Sequence, residues 1–140
     1  MSETAKKERI WLILAVILLA GIYGAWGMVE SWLANRALAN FDWDHYSNSA
    51  DEQLELRIIC HKIISYKYGN HHDAFVTLIQ IGNPDSVPLL INALKWHEPT
   101  DGSDIVSCTT DHCVEALRNL TGMDFGYSYK DWHKWLQTQR

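Results

Sequence analysis

The sequence predicts an all-α protein: one transmembrane helix, then an α-solenoid of about two helical hairpins plus a flanking helix. Three observations predict it. Residues Ile10 to Val29 (IWLILAVILLAGIYGAWGMV) carry no charged side chain. Beyond Asp51 the apolar residues recur at helical spacing in every segment, and no strand-like alternation persists. Two of these segments also repeat each other. At an offset of 38, Asp73 matches Asp111, Val76 matches Val114 and Ile79 matches Leu117. Past a longer turn, at an offset of 42, Val87 matches Tyr129, Leu90 matches Trp132 and Leu94 matches Leu136. A period of about 40 residues in antiparallel helix pairs marks a stacked solenoid, where each pair buries its apolar face against the next.

Taken in order, residues 1–9 form a short cytoplasmic N-terminus and residues 10–29 the membrane helix. At 1.5 Å per residue the uncharged run is roughly 30 Å long, the thickness of a bilayer's hydrocarbon core. Trp11 stands at one end, with Trp26 and Trp32 near the other, where indoles settle at membrane–water interfaces. The run is apolar on all sides, which argues against a core helix of a soluble protein. The alternative is a cleaved signal peptide processed near Ala25-Trp26-Gly27; a bulky Trp beside the cut and the length of the run weigh against it. Lys6, Lys7 and Arg9 precede the span and only Arg36 follows closely. The positive-inside rule then puts the N-terminus in the cytoplasm and the remainder outside it. The expectation is a single-pass protein of a bacterial inner or plasma membrane.

Residues 30–50 read as a juxtamembrane helix that turns into a polar tether through Asn40 and Ser47-Asn48-Ser49, and residues 51–140 as the repeat domain. In DEQLELRIICHKIISYKYG, Leu56, Ile59, Ile63 and Tyr66 share a stripe, and Gly69 stops the helix. In HHDAFVTLIQIG the stripe is Phe75, Leu78 and Ile79, closed by a left-handed Gly82. Asn83 caps the next helix and Pro84 takes its first position, where a missing N–H costs nothing. Val87, Leu90, Ile91 and Leu94 face one way and Leu89, Ala93 and Trp96 another, so this helix needs neighbours on two sides. His97–Thr110 is a loop by its Pro, Gly, Ser and Asp content. A further helix runs through Cys113, Leu117 and Leu120 to Gly122. The last one turns Tyr129, Trp132 and Leu136 inward as a terminal cap.

LIQIGNPDSVPLLINALK (Leu78–Lys95) is similar to the repeat pattern of the HEAT-repeat family, a helix, a Gly-Asn/Asp-Pro turn and Val-Pro-x-Leu-Ile-x-Ala-Leu. VEALRNLTGMDFGYSYKDWHKWL resembles the closing segment of the short bacterial form. The likeness covers Asp73–Leu136, is thin over Asp51–Tyr68 and does not extend to the first 50 residues. It implies a curved stack of helices that presents a surface to another protein. Fold likeness alone carries no reaction. The family's iron-dependent deoxyhypusine hydroxylases carry several His-Glu pairs; His97-Glu98 is the one such dipeptide here, so that site does not carry over. Nothing in the residues points to the family's bilin lyases.

After Val29 there are nine Lys/Arg and fifteen Asp/Glu, a net charge of −6. Such acidity disfavours nucleic acid and anionic lipid as partners. Nucleophile elbows and phosphate-cradling Gly loops are absent from the sequence. A partner-contact surface is expected at Trp96, Glu98, Asp101 and Asp104, because an insertion between repeats lands on one rim of the stack. Outside the cytosol Cys108 and Cys113 are candidates for a disulfide, with three reduced cysteines as the alternative. The functional expectation is a membrane-anchored protein-interaction scaffold without catalysis or cofactor, its partner belonging to an envelope or membrane complex. The rival expectation is a metal-binding protein or metal-dependent enzyme that uses His71, His72, His112 and Cys108.

Overall fold

A computed structural model describes residues 3–99 and 107–139, and every regular element among them is helical. The elements are α1 (Glu3–Ala39), α2 (Ala50–Ile64), α3 (His71–Ile81), α4 (Ser86–Leu94), α5 (Cys108–Thr121) and α6 (Tyr129–Thr138), with a 3-10 turn at Trp43–His45. The chain divides into two units, residues 1–30 and residues 31–140.

The first unit is the apolar part of α1. Among the described residues α1 is the one helix long and apolar enough to cross a membrane, and its apolar window is not buried. A single-pass anchor and a signal sequence both have this form. The uncharged run and the juxtamembrane stretch expected to continue it helically form one element, α1.

The second unit starts at Ser31 and so takes in the juxtamembrane helix and tether expected before Asp51. Spacing on α1 shows how its end joins the core. Ala34 and Leu38, four residues apart, turn one short stripe into the core. Ser31 and Asn35 form a second, polar stripe. The Ser31 hydroxyl donates to the carbonyl of Tyr68 at 3.1 Å, and the Asn70 N–H donates to Asn35 Oδ1 at 2.5 Å. Four positions therefore fasten the end of α1 to the folded unit. After the 3-10 turn, Ser49 and Glu52 cap α2 reciprocally.

Helix α2 buries Leu56, Cys60, Ile63 and Ile64 and stops at Ile64, five residues before Gly69. Helix α3 is capped by Asn70 and buries Ala74, Phe75, Leu78 and Ile81, while Ile79 is half-buried. Gly82 corrects the expectation of a left-handed stop: its φ of −59° and ψ of 157° are extended backbone. Glycine is needed there for space. A Cβ would lie 2.5 Å from the Leu78 carbonyl oxygen and 3.1 Å from Leu120 Cδ1. The following helix also starts later than expected. Asn83–Ser86 is a turn closed by the Ser86 N–H on the Asn83 carbonyl at 2.9 Å, with Pro84 inside it. The buried Ser86 hydroxyl accepts from the Asn83 N–H at 3.2 Å.

Helix α4 buries Val87, Leu90, Ile91, Ala93 and Leu94. Its neighbours are α2, α5 and α6, so its apolar flanks are covered on several sides. The helices that pack along the chain are α2 with α3 and α4 with α5, with α3 against α5 and α4 against both α2 and α6. The sequential pairing thus falls one helix away from the α3–α4 hairpin that the offset implied. In α5, Ser107 caps the first turn and Gly122, at φ 69°, closes the last in the left-handed region. In α6, Trp132 is fully buried; its indole N–H donates to the Gly126 carbonyl at 2.8 Å, and its ring meets Phe125 edge-on at 4.9 Å.

Candidate functional site

One concavity lies where the docked end of α1, the 3-10 turn and α3 meet. It has a volume of about 330 Å³ and is lined by Leu38, Trp43, His72, Asp73, Val76, Thr77 and Gln80. Residues at i, i+3 and i+4 share a helix face, so α3 presents positions 72, 73, 76, 77 and 80 together. Leu38, 4% exposed, contributes the apolar floor. Trp43 is 50% exposed, yet its ring is held edge-on by Phe41 at 4.8 Å and by Tyr46 at 5.9 Å. A large ring that is both accessible and fixed costs little ordering entropy when a ligand covers it. Asp73 is fixed as well. One carboxylate oxygen accepts from the Asn70 amide and the other lies 3.0 Å from His72 Nδ1.

Beyond the groove the surface passes from α3 to α5. His72 and His112 meet edge-to-face with ring centroids 5.0 Å apart. His112 Nδ1 is buried without a hydrogen-bond partner, and the nearest carboxylate oxygen, on Glu115, is 3.6 Å away. His71, the neighbour in sequence, points elsewhere. It is buried, and its Nε2–H donates to the Tyr66 carbonyl at 2.7 Å, so its Nδ1 accepts from His97 Nε2–H at 2.7 Å. Phe75 and Trp96 pack against this pair. Burial pushes both imidazoles below their ordinary value; for His97 the nearby His71 adds to the effect, while for His71 the backbone carbonyls partly oppose it. The proposed set of His71, His72, His112 and Cys108 is therefore split between two environments. Among the described residues no group of three or more His, Cys, Asp or Glu is placed to hold a metal ion.

The expected contact surface is distributed differently from its sequence reading. Trp96 is half-buried, with its ring 5.7 Å from that of His71 and the Lys95 ammonium 4.7 Å above it. Glu98 is exposed, but its carboxylate accepts from the Tyr129 N–H at 3.0 Å and so caps α6. Asp101 and Asp104 lie outside the described residues. Cys108 and Cys113 are not bridged: both thiols are free, one exposed at the start of α5 and the other buried on it. Five residues along a helix advance about 7.5 Å, beyond the roughly 7 Å that a disulfide spans between Cα atoms. Cys113 donates to the Leu90 carbonyl at 3.5 Å. Burial pushes the Cys60 thiol up to about 12 and raises Cys113 also, so neither is a nucleophile.

The groove residues Leu38, Trp43 and Gln80 were not singled out by pattern, and Val76 was picked out only by the repeat offset. The one signal in the sequence is a large aromatic in the polar stretch Asn40–Ser49, where no helical stripe asks for it. No protein-family model matches the chain, and no curated protein or solved structure is significantly similar to it.

Proposed function

We propose that this protein is a membrane-anchored interaction module whose groove at Trp43 receives a segment of a partner protein. In this reading α1 crosses the membrane once, with its N-terminus in the cytoplasm. The helical unit is a short HEAT-like solenoid outside the cytosol and carries no catalysis of its own. The observation that carries the reading is the groove itself: an exposed, immobilised indole beside an apolar floor, with fixed polar groups on α3. Rigid aromatic anchors next to apolar pockets are where protein interfaces concentrate their binding energy. The packing of α2, α4 and α6 in succession, with α3 against α5, is compatible with stacked helical pairs. Holding both partners at one membrane raises their effective concentration, so a small groove suffices.

The test is a crosslinked recovery from native membranes, with a photoreactive residue at Val76 and mass spectrometry of the adduct. Trp43→Ala should abolish the adduct, while Asp101→Lys with Asp104→Lys should leave it intact. The reverse pattern would move the contact to the α4–α5 connection and overturn the groove assignment. Elemental analysis of the purified chain should find no stoichiometric metal; stoichiometric zinc or iron would favour the metal-dependent rival.

A further inference from the structure

We infer that the Lys67–Tyr68 corner between α2 and α3, with Trp32, Leu33 and Arg36 of α1, rests in the headgroup layer of a phospholipid bilayer. The inference rests on reading α1 as a membrane span. The uncharged run ends at Val29, and Ser31 follows about 3 Å further along the helix. The interfacial layer on each side of the hydrocarbon core is roughly 5–8 Å thick. Ser31 is therefore at headgroup depth, and its hydroxyl holds the Tyr68 carbonyl at 3.1 Å. One helical turn on, Asn35 holds the N–H of Asn70. These two bonds hold the corner, some 35 residues away in sequence, beside Ser31 and Asn35.

The exposed groups at this level have matching chemistry. Tyr68 is 79% exposed and Trp32 58%, with Leu33 also exposed beside Trp32. Each ring has a cation over it: Arg36 lies 5.7 Å from the Trp32 ring and Lys67 lies 5.6 Å from the Tyr68 ring. Tyr and Trp prefer headgroup depth because one end is apolar and the other polar, and Lys and Arg lay their stems on apolar surface while the charge reaches phosphate. The acidity of the unit does not oppose this, because amphipathic rings partition into a neutral phosphatidylcholine interface as well. The corner gives the unit a second hold on the bilayer besides α1.

The test uses the full-length chain with Cys108→Ser, so that the buried Cys60 and Cys113 are the remaining native thiols. Tyr68→Cys, Leu54→Cys and Tyr23→Cys are each labelled with an environment-sensitive nitrobenzoxadiazole and reconstituted into phosphatidylcholine vesicles. The side chain of Tyr68 is free to change, because the bond to Ser31 uses its backbone carbonyl. The label at 68 should shift to the blue and lose emission in vesicles brominated near the headgroups. The label at the exposed position 54 on α2 should do neither, and the label at 23 should lose emission to bromines deep in the acyl chains. If 23 is quenched and 68 behaves like 54, the headgroup contact is refuted while the anchor stands. If 23 is not quenched, the span reading fails and takes the inference with it. If 68 is shielded from aqueous iodide yet not quenched by brominated lipid, a protein covers it and the lipid assignment is overturned.

Discussion

Leu38→Ala tests whether the end of α1 belongs to the folded unit. Leu38 is 4% exposed and joins the core cluster, whereas Leu33, one and a half turns back on the same helix, is 52% exposed. Truncating a buried leucine costs about 2–5 kcal/mol, and the lower end applies where the cavity can open to solvent. Leu38 lines the groove, so its truncation should cost about 2–3 kcal/mol. A unit of this size stores roughly 5–15 kcal/mol, so a substantial fraction would go. At about 4–8 °C per kcal/mol, the melting midpoint should fall by some 10 °C or more. Leu33→Ala should stay within about 0.5 kcal/mol, as exposed substitutions do. The assay is urea and thermal unfolding of the full chain in detergent micelles, followed by near-ultraviolet circular dichroism, to which the buried Trp132 contributes. Equal, small effects from the two variants would mean that residues 31–39 do not belong to the folded unit.

Two further outcomes follow from buried titratable groups. His61, His71 and His97 all have values pushed down, with burial the largest cause in each. Below their ordinary value of about 6.5 the unfolded chain binds more protons than the native one, so stability is full above that pH and declines as pH falls through it. The urea midpoint should therefore drop between about pH 7.5 and about pH 5.5, a window above that in which the depressed carboxylates of Glu52 and Asp124 are protonated. A flat profile there would contradict the buried neutral imidazoles. Thiol titration should find one reactive cysteine, Cys108, in the native chain, and all three only after denaturation. Loss of the Cys108 signal in oxidised native protein, restored by reductant, would reinstate a disulfide.

Much of the fold was legible because helices advertise themselves by spacing. The apolar faces of α2, α3 and α5 were found to within a position or two, and the two-sided α4 was anticipated from Leu89, Ala93 and the opposite stripe. What was hidden depended on partners far away in the chain. Ser31 and Asn35 are polar residues, and only Tyr68 and Asn70 reveal that they are docked, as only the core around Ala34 and Leu38 reveals it for those two. Gly82 invited a conformational explanation, whereas the operative constraint is the nearness of Leu78 and Leu120. Composition made Glu98 resemble a free loop acid, but its partner is a backbone N–H thirty-one residues on. Trp43 escaped because an aromatic in a turn belongs to no periodic pattern.

The fastening of α1 to the corner at Tyr68 sets the order in which this protein can be made. Ser31 and Asn35 leave the ribosome 37 and 35 residues ahead of the groups that grip them, so the unit closes only after its own leading helix has been delivered. It also divides the places where a protease can cut without harm. Scission before Ser31 would release a unit that keeps Ser31, Ala34, Asn35 and Leu38. Scission after Leu38 would strip a wall from the groove and leave the N–H of Asn70 without its acceptor.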